Sequence, residues 1–242
     1  MQLKKFWQNN KGFIVGIFLL LFFRTAVADW YHVPSGSMQP NVLIGDRVWV
    51  NKLAYDVKVP FSDINLNHHA EPLPGDVIVF QSAQAGDRLI KRVVGVPGDK
   101  VAMLNNRLFI NGKPVGIQAV ESHQLFDEFL NDRQDAAYYS ESRPSGDYDQ
   151  NHTVAESNAT ATKPYFIRIN RRDFGSPDSF PEVEIPQGYF WVMGDNRDNS
   201  ADSRVIGMVP RDEVIGRAER IVISLDGDNF FMPRDGRYWE AL

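Results

Sequence analysis

An unbroken apolar run from Gly12 to Phe23 constrains this chain more than any other stretch. It follows a short basic start carrying Lys4, Lys5 and Lys11, and Arg24 interrupts it. Two readings compete. A secretory signal peptide has a basic start, an apolar core and a small-x-small cleavage site, here Ala26-Val27-Ala28. A membrane anchor would run over 12–30, with Arg24 snorkelling and Trp30 and Tyr31 at the interface. The run is short beside the ~20 apolar residues a span usually takes. Arg24 sits badly in a cleavage region, however, so the expectation is one uncleaved N-terminal transmembrane helix. The basic start stays in the cytoplasm under either reading, and everything after Trp30 lies on the far side of the membrane.

The rest reads as β structure. Asp46 to Lys52 alternates, with Val48 and Val50 on one face. Val77–Phe80 is a short apolar strand behind a Pro-Leu-Pro-Gly-Asp turn, and Arg88–Val94 is another. Val101–Leu104 and Arg107–Ile110 form a hairpin around Asn105-Asn106. Gly188–Met193, Val205–Val209 and Ala218–Ser224 read as the last strands, and Leu225–Leu242 as a polar tail. Residues 117–180 are weakly patterned apart from Tyr165–Ile169, with room for a helical turn within 118–131. The expected fold is mainly β. A domain of antiparallel sheets, split into 31–116 and 181–242, surrounds a β-ribbon subdomain inserted at 117–180, behind residues 1–11 and the anchor at 12–30.

Composition removes several classes of function. A net charge of -5 argues against a nucleic-acid partner. The absence of cysteine excludes disulfides, a thiol nucleophile and thiolate metal sites. None of the five histidines shows the spacing of an HExxH metal site. A hydrolase built on this chain would do without a histidine base.

Three stretches carry candidate chemistry. Val33-Pro34-Ser35-Gly36-Ser37-Met38-Gln39-Pro40 is a tightly constrained turn with two hydroxyls, in which Ser37 is a candidate nucleophile. A serine needs a base. Lys91 lies in an apolar strand, sharing a face with Leu89 and Val93. If that face is inward, desolvation lowers its pKa and supplies a neutral amine; if outward, Arg88, Lys91 and Arg92 are edge-strand charges. The block from Gly194 to Arg204 alternates Asp195, Arg197, Asp198, Asp202 and Arg204 around Ser200. Arg197 at the third position and Ile206 at the twelfth count against a Ca²⁺ loop. A scaffold held by Asp195–Arg204 or Asp202–Arg197 pairs is the better reading, with no metal.

These motifs occur in order with Gly45-Asp46, Gly75-Asp76-Val77-Ile78-Val79-Phe80, and Lys91 to Asp99. The ordered set closely resembles bacterial type I signal peptidase, the leader peptidase family. The resemblance runs to about Ser224, apart from the insertion. It implies a Ser–Lys dyad, with Ser37 as nucleophile and Lys91 as general base. Ser35 would join the Ser37 backbone N–H in an oxyanion hole. Ser200 would orient Lys91, with Asp195, Arg197, Asp202 and Arg204 as support. Val33, Pro34, Met38, Val42, Leu89 and Ile90 would border small apolar substrate pockets. It implies no cofactor, a monomer at the phospholipid bilayer of the bacterial cytoplasmic membrane, and cleavage of signal-peptide-bearing preproteins after small-x-small sites on the outer face. A peptidase specialised for one pilin or conjugation substrate is the alternative. The chain departs from some relatives in its single anchor segment, its lack of a cysteine pair, and Leu89 where an aromatic can stand.

Overall fold

The computed structural model describes residues 2–62, 64–121, 136–143, 163–170 and 175–242. Helix α1 covers Gln2–Ala26. It has no polar face along its apolar run, and Phe13, Phe18, Leu19 and Leu20 stay exposed. Near its end Phe23 meets Trp49, with ring centroids 6.1 Å apart.

The transmembrane helix expected over 12–30 needs correcting. Among the described residues, no helix is long and apolar enough to cross a membrane. The physical reason is length: twelve apolar residues rise only ~18 Å as a helix, against a hydrocarbon core of ~30 Å. Asn9, Asn10 and Lys11 bound the run on one side and Arg24 on the other, and the chain turns from helix to strand by Ala28.

Strands then follow in close succession. They are β1 (Ala28–His32), β2 (Asp46–Asn51), β3 (Asp56–Lys58), β4 (Asn65–His68), β5 (Val77–Ser82) and β6 (Asp87–Gly95). Next come β7 (Lys100–Leu104), β8 (Arg107–Ile110), β9 (Lys113–Pro114), β10 (Gly116–Val120), β11 (Ala136–Ser142) and β12 (Tyr165–Asn170). The last are β13 (Phe180–Glu184), β14 (Tyr189–Met193), β15 (Val209–Pro210), β16 (Val214–Asp226) and β17 (Met232–Ala241), with a one-turn helix α2 (Ser203–Ile206) between β14 and β15.

An eight-stranded sheet in the order β1-β2-β16-β5-β6-β14-β15, with β17 also on β16, forms the body. Strand β5 explains why two cores exist. Its continuous apolar run sends Ile78 and Phe80 into one cluster with Val93, Phe190 and Val192. Val77 and Val79 point into another with Val33, Met38, Val42, Val48 and Val50. Each such side chain contributes roughly 1.5–3 kcal/mol on burial. A third cluster, with Val94, Val101, Ile110 and Trp191, joins β7 and β8 to the body. The hairpin β7–β8 turns at Asn105 and Asn106, both with positive φ (49° and 61°), the backbone of a tight hairpin turn.

Two further expectations change. Val205–Val209 is not a strand: α2 occupies Ser203–Ile206, begun by the Asp202 side chain accepting from the Arg204 N–H. The tail, read from sequence only as polar, forms a strand. β17 pairs with β16, and its Arg237 donates to Asp46 at 2.7 Å and to the Asn41 carbonyl at 3.1 Å. Within 117–180, the three-stranded sheet β10-β11-β12 lies beside the main body. The helical turn expected within 118–131 falls mostly outside the described residues, and Gln118–Val120 belong to β10.

Candidate active site

The turn at 35–42 and the strand β6 bring two side chains together. Lys91 Nζ donates to Ser37 Oγ at 2.8 Å and to the Ile90 carbonyl at 2.9 Å. Lys91 is only 2% exposed and Ser37 is also buried. Burial pushes the lysine down from 10.5 to about 8, against the charges of Asp202 and Asp195, which pull it back up. At that value about one lysine in ten is neutral at pH 7. A neutral amine in hydrogen-bond contact with a hydroxyl can take its proton, which a protonated one cannot. Ser35 Oγ lies 3.5 Å from Ser37 Oγ, and Ser35 is exposed, at the open side of the pair.

The turn is held from the block after β14. Asn196 donates its backbone N–H to the Ser37 carbonyl and its side-chain amide to the Gly36 carbonyl, both at 3.0 Å. Gly194 lies between Ser37 and Ser200, and a Cβ there would collide with the Ser200 side chain and the Ser37 carbonyl. Only glycine permits that approach.

The charged block pairs differently from the sequence expectation. Asp195 is bound not by Arg204 but by Arg92, which grips it with two hydrogen bonds of 2.8 and 2.7 Å. Asn41 adds a third at 2.7 Å. Asp202 pairs with Arg204, not Arg197, again through two bonds of 2.8 Å, and accepts from the Gly194 N–H at 2.9 Å. Burial alone would raise the Asp202 carboxyl, but Arg204 and the Gly194 N–H hold it below the usual range. Arg197, fully buried, turns to Glu141 on β11, with bonds of 2.9 and 2.6 Å. Burial works against the Arg197 charge, but Glu141 and its neighbours hold its pKa above the usual arginine value.

Ser200 also departs from expectation. Its hydroxyl is buried and, rather than reaching Lys91, lies beside the Asp202 carboxylate, where it helps hold that carboxyl down; the second bond from Lys91 goes to the Ile90 carbonyl instead. The pocket residues divide. Val33, Met38 and Val42 are core, at 2%, 0% and 0% exposure, and back the site rather than line it. Pro34 is exposed and Leu89 and Ile90 are half-buried. Arg92, Asn196, Asn41 and Glu141 also belong to the site. Arg92 and Asn196 sit inside the motifs around Lys91 and Gly194, whereas Glu141 carries no local signal. Among the described residues no cluster of His, Asp and Glu could hold a metal ion.

Residues 7–223 match the family model described as "Signal peptidase, peptidase S26". The chain belongs to this signal peptidase family. It is a serine endopeptidase by that membership. Among its relatives, the signal peptidase I of Pseudomonas fluorescens is 31% identical over 229 residues, covering 90% of this chain and 72% of the relative. That of Aquifex aeolicus (strain VF5) is 34% identical over 233 residues, covering 87% and 83%. The crystal structure of a signal peptidase I from Enterococcus faecalis V583 overlaps 61% of this chain and 97% of its own at TM-score 0.32 and 24% identity, a superposition too loose to build on.

Proposed function

We propose that this family member removes signal peptides from exported preproteins by acyl-enzyme chemistry, with Ser37 as nucleophile and Lys91 as general base. The observation that carries this reading is the 2.8 Å contact between a buried lysine and a serine hydroxyl. Neutral Lys91 accepts the Ser37 proton as Oγ attacks the scissile carbonyl, then passes it to the departing amine. Ser35, on the exposed side of the pair, donates its hydroxyl to the developing oxyanion together with the Ser37 N–H. Arg92, Asp195, Arg197, Asp202 and Arg204 keep the turn and strand in register.

The substrate enters as an extended segment. Strand β14 pairs with β6 only from Arg92 onward, so on that side Asp87–Lys91 has no strand partner among the described residues. An added strand there satisfies its backbone groups and runs past Ser37. Half-buried Leu89 and Ile90, with exposed Pro34, give that edge an apolar border, which fits apolar side chains on the substrate. Attachment to a phospholipid surface is supported by the exposed apolar run of α1 and by chain length: Ser37 is nine positions beyond Ala28, a tether of at most ~30 Å.

The test is cleavage of a secretory preprotein by Ser37→Ala and Lys91→Ala variants. Loss of processing in both, with native folding, is expected. Normal processing by Lys91→Ala at pH 7 rules out the dyad.

A further inference from the structure

The turn that carries Ser37 also carries a polar group that neither the dyad nor the oxyanion site uses. Gln39 folds its side-chain amide back over Gly36, the residue between the two serines. A Cβ on Gly36 would stand 3.0 Å from Gln39 Oε1 and 3.4 Å from Nε2. The orientation of this amide is fixed by chemistry. Arg168 on β12 donates from Nη1 to Gln39 Oε1 at 2.9 Å. A guanidinium has only donors, so the amide must turn its oxygen to it and its nitrogen away. Gln39 is half-buried. Its Nε2, with two N–H groups, lies at the surface of the turn and has no acceptor among the described residues.

Arg168 is itself held in place. Its backbone N–H donates to the Asp195 carbonyl at 2.8 Å, and its carbonyl accepts from the Arg197 N–H at 2.9 Å. Its Nε donates to Asn170 Oδ1 at 3.0 Å. Asn170 Nδ2 donates to Asn196 Oδ1 at 3.4 Å, and Asn196 Nδ2 returns to the Gly36 carbonyl at 3.0 Å. These bonds close a ring that begins and ends at Gly36, with a donor facing an acceptor at every step. A glutamine side chain at a surface is ordinarily free to turn; this one is held with its donor end outward.

The path of an extended substrate leads to that donor. The residues upstream of the scissile bond lie along the free edge Asp87–Lys91. At Arg92 the edge is taken by β14, through the pairing of Arg92 with Met193. The chain downstream of the scissile bond therefore leaves β6 and crosses the turn from Ser35 to Gln39. The Ser35 hydroxyl and the Ser37 N–H serve the oxyanion, and Gln39 Nε2 is a further donor on the same turn. Nε2 can only donate, so its partner is an acceptor, and an extended segment offers its backbone carbonyls.

We propose that Gln39 is a substrate-binding residue, its Nε2 donating to the backbone carbonyl of the first residue beyond the scissile bond, and that Arg168 is the positioning residue that aims it. The proposal rests on the signal-peptidase reading of the Ser37–Lys91 site. The contact anchors the leaving side of the bond as the β6 edge anchors the acyl side, so the scissile carbonyl is held between two fixed points in front of Ser37. It engages backbone alone, which leaves the side chain of that first residue free to vary.

The test uses the full-length enzyme in detergent and two synthetic peptides of one sequence spanning an Ala-x-Ala site. In the second peptide, sulfur replaces the carbonyl oxygen of the first residue beyond the scissile bond, and a thioamide sulfur accepts hydrogen bonds more weakly. Values of kcat and KM are measured for wild type, Gln39→Met, Gln39→Glu and Arg168→Met. Gln39→Glu keeps an oxygen for Arg168 and loses only the donor, which guards against a general loss of fold. On the all-oxygen peptide both Gln39 variants are expected to lower kcat/KM about tenfold, the worth of one hydrogen bond, and Arg168→Met about threefold. Wild type should lose a similar factor on the thioamide peptide, while the Gln39 variants lose less than about twofold more. A Gln39→Glu enzyme as active as wild type overturns the proposal. So does a thioamide penalty equal in variants and wild type, which would place the amide in the fold and not on the substrate. A wild type that cuts neither peptide refutes the signal-peptidase reading, and the proposal falls with it.

Discussion

Lys91→Met is expected to make the protein inactive and, at neutral pH, more stable. The fall of the lysine from 10.5 to about 8 on burial corresponds to about 3 kcal/mol of disfavoured protonation at pH 7. Methionine fills a similar volume and carries no charge. It forfeits the two hydrogen bonds to Ser37 and the Ile90 carbonyl, each worth about 1 kcal/mol. The net gain is then about 1 kcal/mol, or a rise in Tm of about 2–4 °C for a chain of this size. The pH dependence is the sharper signature. Below pH 8 both folded and unfolded lysine hold their proton, and the native protein bears the whole burial cost. Between about 8 and 10.5 the folded lysine is neutral while the unfolded one is not, so wild-type stability climbs with pH. The advantage of the variant should shrink above about pH 8, reverse near pH 9 once about 1 kcal/mol has been recovered by the wild type, and end above about pH 10.5 as a deficit equal to the lost hydrogen bonds. Thermal unfolding of both proteins in detergent, from pH 6.5 to 10.5, measures this. A variant less stable than wild type by the same amount at every pH would refute the reasoning, because it would mean that burial does not disfavour the lysine charge.

Two other substitutions probe the surroundings. Glu141→Ala leaves the fully buried Arg197 without its carboxylate and should cost about 3–5 kcal/mol; urea unfolding measures it, Glu141→Ala with Arg197→Met should recover much of the loss, and a cost under about 1 kcal/mol would mean the pair is not what braces the site. Ser35→Ala should lower kcat about 100-fold with KM nearly unchanged, as for loss of one oxyanion donor; an effect confined to KM would assign Ser35 to binding instead.

The parts of this fold that sequence makes legible are those with local causes. Alternation, Gly and Pro turns and the Asn105-Asn106 hairpin locate β2 and β5 to β8 within a residue or two. The strand in the tail is not legible in sequence because β17 draws its order from β16, and its own sequence alternates weakly. Val205 and Ile206 look strand-like, yet Asp202 caps a turn of helix there, a side-chain preference that outweighs β propensity. The expected membrane span rested on an apolar run that is simply too short once its helical rise is counted.

The same division holds at the site. Ser37, Lys91 and the block after Gly194 stand out as motifs because turn geometry and an out-of-place charge are visible along the chain. Who pairs with whom is not. Asp195 chooses Arg92 across 103 positions, and Arg197 chooses Glu141 across 56. With several acids and arginines alternating in one loop, neighbouring pairs are sterically open on paper. Packing of β11 and β6 against the loop decides between them. Asn196 escaped notice for a related reason: its bonds to the Gly36 and Ser37 carbonyls depend on where the turn docks.

The most direct test of the Ser37–Lys91 assignment is to trap the covalent intermediate. Brief mixing of the enzyme with a preprotein, acid quenching and peptide mapping by mass spectrometry would locate the ester. The signal peptide is expected on Ser37, at levels that vanish in Lys91→Ala. An ester on Ser35 or Ser200, or unimpaired turnover with Ser37 replaced by alanine, would contradict the assignment.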